Sequence, residues 1–243
     1  MSEDVDYHRR RLFGTAAKSA AMSIAAVQFG IQLGMAGSAG AQSSTAKPTD
    51  VPAIKPGTNT SFPPLKQIDA GLLNVGYAEA GPANGPVVIL LHGWPYDIYS
   101  FVDVAPLLAS AGYRVIVPFV RGYGTTRFRS SGTFRNGQPS AVATDTIAFM
   151  DALKIEKPIL AGFDWGARTA NIIAALWPQR CKAMVSVSGY LIGSQESGKM
   201  PLPPKAVLEW WYIYQFATER GRAGYEKYGH DFAKLIWQLA SPK

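Results

Sequence analysis

The segment Gly162-Phe163-Asp164-Trp165-Gly166 joins a predicted strand (157–163) to a predicted helix (165–176). A strand that turns abruptly into a helix holds its middle residue at the top of a sheet in strained geometry, and the glycines let the backbone pass close to its neighbours. The helix N-terminus favours an ionised carboxylate, so Asp164 is predicted to be a nucleophile. The alternative is an ordinary helix N-cap, where Asp is common. The position and the two glycines favour the nucleophile.

Strands alternate with helices along the chain. The run Val87-Val88-Ile89-Leu90-Leu91 is apolar throughout, which is typical of a strand buried on both faces. Two N-terminal strands are predicted to pair antiparallel, and the later ones to pair in parallel through right-handed crossovers. The predicted fold class is α/β, a mostly parallel sheet with helices on both faces and with sites at the carboxyl ends of the strands. The predicted strands are 65–69, 72–80, 87–91, 113–117, 157–163 and 183–188, and the predicted helices are 99–109, one capped by Ser140, and 165–176.

The N-terminus has the composition of a targeting segment. Three consecutive arginines at 9–11 precede a mildly apolar stretch, and Ala39-Gly40-Ala41 supplies a small-residue cleavage site. This pattern resembles a bacterial twin-arginine signal, which predicts export to the periplasm or beyond. The apolar stretch is too weak for a membrane helix, so no stable membrane span is expected after cleavage. The alternative is an uncleaved amphipathic tail.

Four segments are predicted. Residues 1–41 form the signal, 42–64 a flexible linker rich in Ser, Thr, Pro and Lys, 65–190 the α/β core, and 191–243 part of a helical lid rich in aromatic residues.

Composition excludes several classes of function. The net charge of +7 comes from scattered basic residues, without the basic helix that nucleic-acid binding needs. The single cysteine, Cys181, allows no internal disulfide, and the three histidines show no ligand spacing. We therefore predict no metal, no cofactor and no nucleic-acid partner.

Two further motifs complete a family resemblance. His92-Gly93-Trp94-Pro95 directly follows the buried strand, and Arg121-Gly122-Tyr123-Gly124 follows the next one. Together with the Asp164 turn, they resemble the epoxide hydrolase branch of the α/β-hydrolase family and, to a lesser degree, the haloalkane dehalogenases, over residues 65–240. One departure is clear: Phe119-Val120 stands where the family usually carries an aspartate before the arginine.

The resemblance implies a two-step covalent mechanism. Asp164 would attack an epoxide carbon to give an alkyl-enzyme ester, and the backbone N–H groups of Trp94 and Trp165 would stabilise the oxyanion. Tyr212 matches the ring-opening proton donor of the lid, with Tyr214 as the fallback. The alternative for these tyrosines is simple aromatic packing. Phe163 and Tyr214 are the expected substrate-binding residues, and His92 is expected to be structural.

The substrate class follows from the side chains around the nucleophile. A dehalogenase commonly carries amide side chains at the positions of Phe163 and Trp94, where they hold the departing halide. Neither is present here. A small apolar epoxide is therefore the expected substrate, with a haloalkane as the alternative.

In this fold the orienting acid and the water-activating histidine come after the nucleophile. His8 lies in the signal, His92 in the turn and His230 in the lid, and none suits that role. The sequence therefore predicts a chain truncated in the lid, with an apolar sheet edge left exposed. Either it belongs to a normal enzyme whose remainder lies downstream, or it is an inactive chain that serves as a binding or assembly partner.

Overall fold

The computed structural model describes residues 57–189 and 195–241. The predicted signal (1–41) and most of the predicted linker (42–64) lie outside the described residues, so both stay predictions. Across the described part of the chain, no helix combines the length and the apolar character that crossing a bilayer requires.

One mixed sheet organises the structure. Its strand order is β1-β2-β4-β3-β6-β7, and a short strand, β5, pairs with β2. Strands β4, β3, β6 and β7 run parallel, whereas β1 and β4 each pair antiparallel with β2. This is the predicted mostly parallel sheet, although the sequence did not indicate β5. The strands are β1 Lys66–Ala70, β2 Leu73–Ala80, β3 Val87–Leu91, β4 Arg114–Pro118, β5 Arg127–Phe128, β6 Ile159–Phe163 and β7 Ala183–Val187.

Strand β3 is buried on both faces because its side chains alternate between two apolar cores. Ile89 and Leu91 pack in a cluster with Phe149, under the longest helix of the core. Val88 and Leu90 pack in a second cluster on the opposite face. The turns that follow the carboxyl ends of β3 and β6 therefore meet at one edge of the sheet.

Seven α-helices are described in these residue ranges, and the first three pack against the sheet. The helices are α1 Val104–Ser110, α2 Pro139–Ala152, α3 Trp165–Leu176, α4 Gln195–Lys199, α5 Pro204–Glu209, α6 Trp211–Phe216 and α7 Glu219–Ala240. Helix α3 begins and ends where the sequence predicts. Helix α7 contains one non-helical residue, Tyr228, which marks a kink.

Two helix predictions were wrong in their boundaries. The helix expected over 99–109 is a 3-10 turn, Ile98–Phe101, followed by α1. The Asp97 carboxylate accepts the Tyr99 N–H and tightens the first turn, while the Asp103 carboxylate binds the N–H groups of Gly57 and Asn59. Ser140 is not a cap, because Gln138 holds that position and Pro139 begins α2, as its fixed φ favours.

The edge strand β7 is solvent-exposed along its length. Within the described ranges it pairs only with β6, and Val185 and Val187 leave about half of their surfaces open, at 55% and 52%. An apolar groove of 580 Å³ runs beside these two side chains, against Phe101 and Phe163. The expected exposed apolar edge is therefore present in the described residues.

Candidate active site

Asp164 sits in a backbone conformation that L-residues rarely adopt. Its φ is 50° and its ψ is −116°, between the end of β6 and the first residue of α3. Its side chain accepts no hydrogen bond from the first turn of α3, so it is not an ordinary N-cap. Such strain persists only where the surroundings enforce it.

Three glycines allow the backbone to crowd around Asp164. A Cβ on Gly166 would lie 1.9 Å from the carbonyl oxygen of Leu91, and one on Gly162 would lie 2.5 Å from the backbone of Gly166. A Cβ on Gly93 would lie 2.5 Å from the Cβ of Asp164. The turn after β3 and the turn after β6 can therefore touch only because these positions carry no side chain.

Trp94 provides a main-chain donor to the Asp164 carboxylate. Its N–H donates to Oδ1 of Asp164 across 2.8 Å. The adjacent Trp165 begins α3, where N–H groups lack intrahelical partners, yet its N–H makes no cap bond to this carboxylate. Of the two expected oxyanion donors, the structure brings Trp94 into contact with the carboxylate and leaves Trp165 beside it.

His92 braces the turn from inside the protein. The ring is fully buried, its Nε2 accepts the N–H of Val120, and its Nδ1 lies 3.4 Å from the carbonyl oxygen of Gly93. This pattern fits a neutral ring with the proton on Nδ1. Burial lowers the pKa of His92, although Asp97 and Asp164 act in the opposite direction. The ring of Tyr123 packs edge-on against it, with the centroids 4.7 Å apart.

Tyr212 lies over the turn, on the lid. Its ring stacks on that of Trp94 with a centroid distance of 4.3 Å and an interplanar angle of 24°. Burial, and then the negative charge of Asp164, raise the pKa of Tyr212, while the positive charge of Arg168 lowers it. Tyr214 is half exposed, at 50%, and makes no ring contact with the described residues. Of the two candidate tyrosines, Tyr212 is the one that contacts the Trp94 turn.

Tyr96 joins the far end of the lid to the same turn. Its hydroxyl donates to the carbonyl oxygen of Ala240 across 2.7 Å, and its ring contacts that of Trp237 at 5.0 Å. Phe163, one of the expected substrate-binding residues, lies 6.4 Å from the Tyr96 ring and 5.5 Å from the Phe101 ring, between centroids. Phe163 therefore connects the site to the apolar groove, and Tyr96 is a contact that the sequence analysis missed.

An ion pair that the sequence analysis did not predict holds the loop after β4. Arg121 lacks the usual neighbouring aspartate, but its Nε and one terminal nitrogen donate to the two oxygens of Asp145 on α2, at 2.5 and 2.6 Å. Both side chains are nearly buried, at 7% and 11% exposure. This bidentate pair positions the 119–124 segment that packs behind His92.

The structure describes two of the three histidines, His92 and His230. His8 lies outside the described residues, and the His230 side chain is 94% exposed on α7. Within the described ranges, no group of three or more His, Cys, Asp or Glu side chains is placed to hold a metal ion. Neither described histidine makes a hydrogen bond to the Asp164 carboxylate.

Known proteins resemble part of this chain. Epoxide hydrolase 3 of Siraitia grosvenorii is 41% identical over 109 residues, which cover 45% of this chain and 34% of that protein. Epoxide hydrolase B of Mycobacterium tuberculosis is 38% identical over 106 residues, 43% of this chain and 29% of that protein. This chain therefore spans about a third of the length of these two relatives.

A solved structure extends the similarity. The crystal structure of a proposed epoxide hydrolase from Klebsiella pneumoniae is 66% identical, with a TM-score of 0.69, and the match covers 73% of this chain and 59% of that one. A family model described as the alpha/beta hydrolase fold matches residues 86–227, which include the Trp94 turn, Asp164 and Tyr212. The chain belongs to the α/β-hydrolase fold family.

Proposed function

We propose that this chain carries out the covalent step of an epoxide hydrolase, in which Asp164 opens an epoxide ring and becomes esterified. The observation that carries the proposal is the 2.8 Å hydrogen bond from the Trp94 N–H to Oδ1 of Asp164. It engages one carboxylate oxygen and leaves the other available for attack. The epoxide hydrolases among the similar proteins support the choice of an epoxide.

The step requires a proton donor opposite the nucleophile. The free Asp164 oxygen forms a bond to an epoxide carbon, the carbon–oxygen bond of the ring breaks, and its electron pair stays on the ring oxygen. Tyr212 supplies the proton to that oxygen. Its ring is stacked on that of Trp94, and the negative charge of Asp164 raises the pKa of its hydroxyl. Export by a twin-arginine route and hydrolysis of the ester by a later histidine remain sequence-based proposals.

Haloalkane displacement is the second candidate. It is favoured by one observation, the indole of Trp165 immediately after the nucleophile, where a ring N–H can donate a hydrogen bond to a departing halide. The same carboxylate attack would then release halide and need no proton from Tyr212. Incubation with a bromoalkane, followed by halide detection, separates the two reactions.

Intact-mass spectrometry after incubation with styrene oxide tests the proposal. The expected result is a mass increase equal to one styrene oxide, located at Asp164 by peptide mapping, or formation of the diol where the ester is hydrolysed. Asp164→Asn should abolish both, whereas Asp231→Asn removes an exposed lid carboxylate and should change neither. Folded protein that gives neither the adduct nor the diol would overturn the proposal.

A further inference from the structure

Arg168 carries a buried nitrogen that has no partner. Its Nε is shielded from solvent and donates no hydrogen bond, and it is the only such side-chain nitrogen or oxygen found among the described residues. In the same ranges no carboxylate lies within ion-pair distance of the guanidinium. An unpaired, partly desolvated cation is unfavourable, so this position favours an anionic group that approaches from outside the described side chains.

The guanidinium packs on Trp165, the residue that follows the nucleophile. The N–H of Arg168 donates to the carbonyl oxygen of Asp164 across 3.0 Å, which places Arg168 one helical turn into α3. Its guanidinium carbon lies 5.3 Å from the ring centre of Trp165, the residue that follows Asp164. Its charge also lowers the pKa of Tyr212, against burial and Asp164, which raise it. Arg168 therefore lies against the residue that follows the nucleophile, and its charge reaches the proposed acid.

We propose that Arg168 binds a carboxylate carried by the epoxide, so that glycidate-type epoxides are preferred over neutral ones. The inference rests on the proposed alkylation of Asp164. An anionic epoxide that approaches the Asp164 carboxylate is repelled unless a cation lies nearby, and Arg168 supplies that cation. A guanidinium also matches a carboxylate geometrically, since two parallel N–H groups can bind its two oxygens.

The chemistry of ring opening is unchanged by this contact. The Asp164 oxygen bonds to the ring carbon, the ring carbon–oxygen bond breaks, and Tyr212 protonates the released oxygen. The substrate carboxylate neither gains nor loses a proton and stays bound to Arg168.

Two probes of the same shape test the preference. The rate of single mass addition is measured with phenylglycidate, an anion, and with phenylglycidamide, its neutral analogue. The anion is expected to react about tenfold faster or more, which is the scale of a charge-assisted hydrogen bond. Arg168→Gln should remove this preference, and Arg168→Lys should retain part of it. Arg222→Gln removes the same charge from the exposed lid surface and should leave the ratio unchanged.

The outcomes separate the inference from the proposed function. If Arg168→Gln leaves the rate ratio unchanged, or lowers both rates equally in folded protein, the carboxylate-binding role is overturned. If the neutral probe labels Asp164 in the parent chain, the proposed function stands whatever the ratio is. If neither probe labels the parent chain, the proposed function fails and this inference fails with it.

Discussion

The main-chain N–H of Trp94 donates to Oδ1 of Asp164 across 2.8 Å, although 70 residues separate the two in sequence. The contact exists because β3 and β6 are parallel neighbours, so the turns after their carboxyl ends meet. It orients the carboxylate before any substrate arrives, which removes part of the reorganisation that ring opening would otherwise require. Helix α6 then adds Tyr212, whose ring stacks on that of Trp94.

Replacing Tyr212 by Phe should slow the alkylation of Asp164 by about a hundredfold, because the ring oxygen loses its proton donor. The rate of mass addition with styrene oxide measures the effect. Tyr214→Phe is the matched control, since Tyr214 is half exposed and makes no ring contact with the described residues. Equal effects of the two variants would favour simple lid packing over proton donation.

Asp145→Ala should lower the free energy of unfolding by about 3–5 kcal/mol, because it leaves the nearly buried guanidinium of Arg121 unpaired. Urea denaturation measures the difference. On the same helix, Asp151 pairs with Arg180 but is 59% exposed, so Asp151→Ala should cost about 1 kcal/mol or less. Similar losses for the two variants would contradict the structural role assigned to the buried pair.

The stability of the protein should depend on the protonation of His92. Burial lowers the folded pKa of His92 below its ordinary value of 6.5, so in mildly acidic solution the unfolded chain binds a proton that the folded chain does not. Stability should therefore fall as the pH drops below about 6.5, by at most about 1.4 kcal/mol per pH unit from this residue.

Urea unfolding between about pH 7.5 and about pH 5.5 measures this dependence. His92→Gln should flatten it. His230→Gln removes an exposed ring and should leave the slope as it is in the parent chain. The assignment would be wrong if the His92 and His230 variants had the same slope.

Gly166→Ala should destabilise the fold by about 3 kcal/mol or more, because its Cβ would meet the Leu91 carbonyl oxygen at 1.9 Å and force α3 away from β3. Thermal unfolding measures the loss. Gly137→Ala is the control, since a Cβ there meets nothing within 4 Å. A Gly166→Ala protein as stable as the control would show that α3 can shift without cost.

The turn that carries Asp164 and the strands could be predicted because their signals are local. The apolar run 87–91 and the framing glycines of Asp164 each occupy a few consecutive residues, and the structure places a strand and a strand-to-helix turn there. The boundary errors around Asp97 and Pro139 also have local causes. They reflect capping and turn hydrogen bonds that compete with helix periodicity.

The remaining contacts depend on residues that are distant in sequence. Arg121 and Asp145 meet only after α2 packs on the sheet, and Tyr96 reaches Ala240 across 144 residues. Nε of Arg168 lacks a hydrogen-bond partner because of the residues that surround it in the fold, and no local sequence pattern predicts this. The signal available in the sequence was a charged residue, Arg168, one helical turn after the predicted nucleophile Asp164.

The bond from the Tyr96 hydroxyl to the Ala240 carbonyl attaches the C-terminal helical segment to the core at a second place. It ties one end of α7 to the turn that carries Trp94, while the Trp94–Tyr212 stack involves only ring faces. These two contacts lie at opposite ends of the helical segment 211–240. Opening the site for a substrate would therefore require at least one of them to separate.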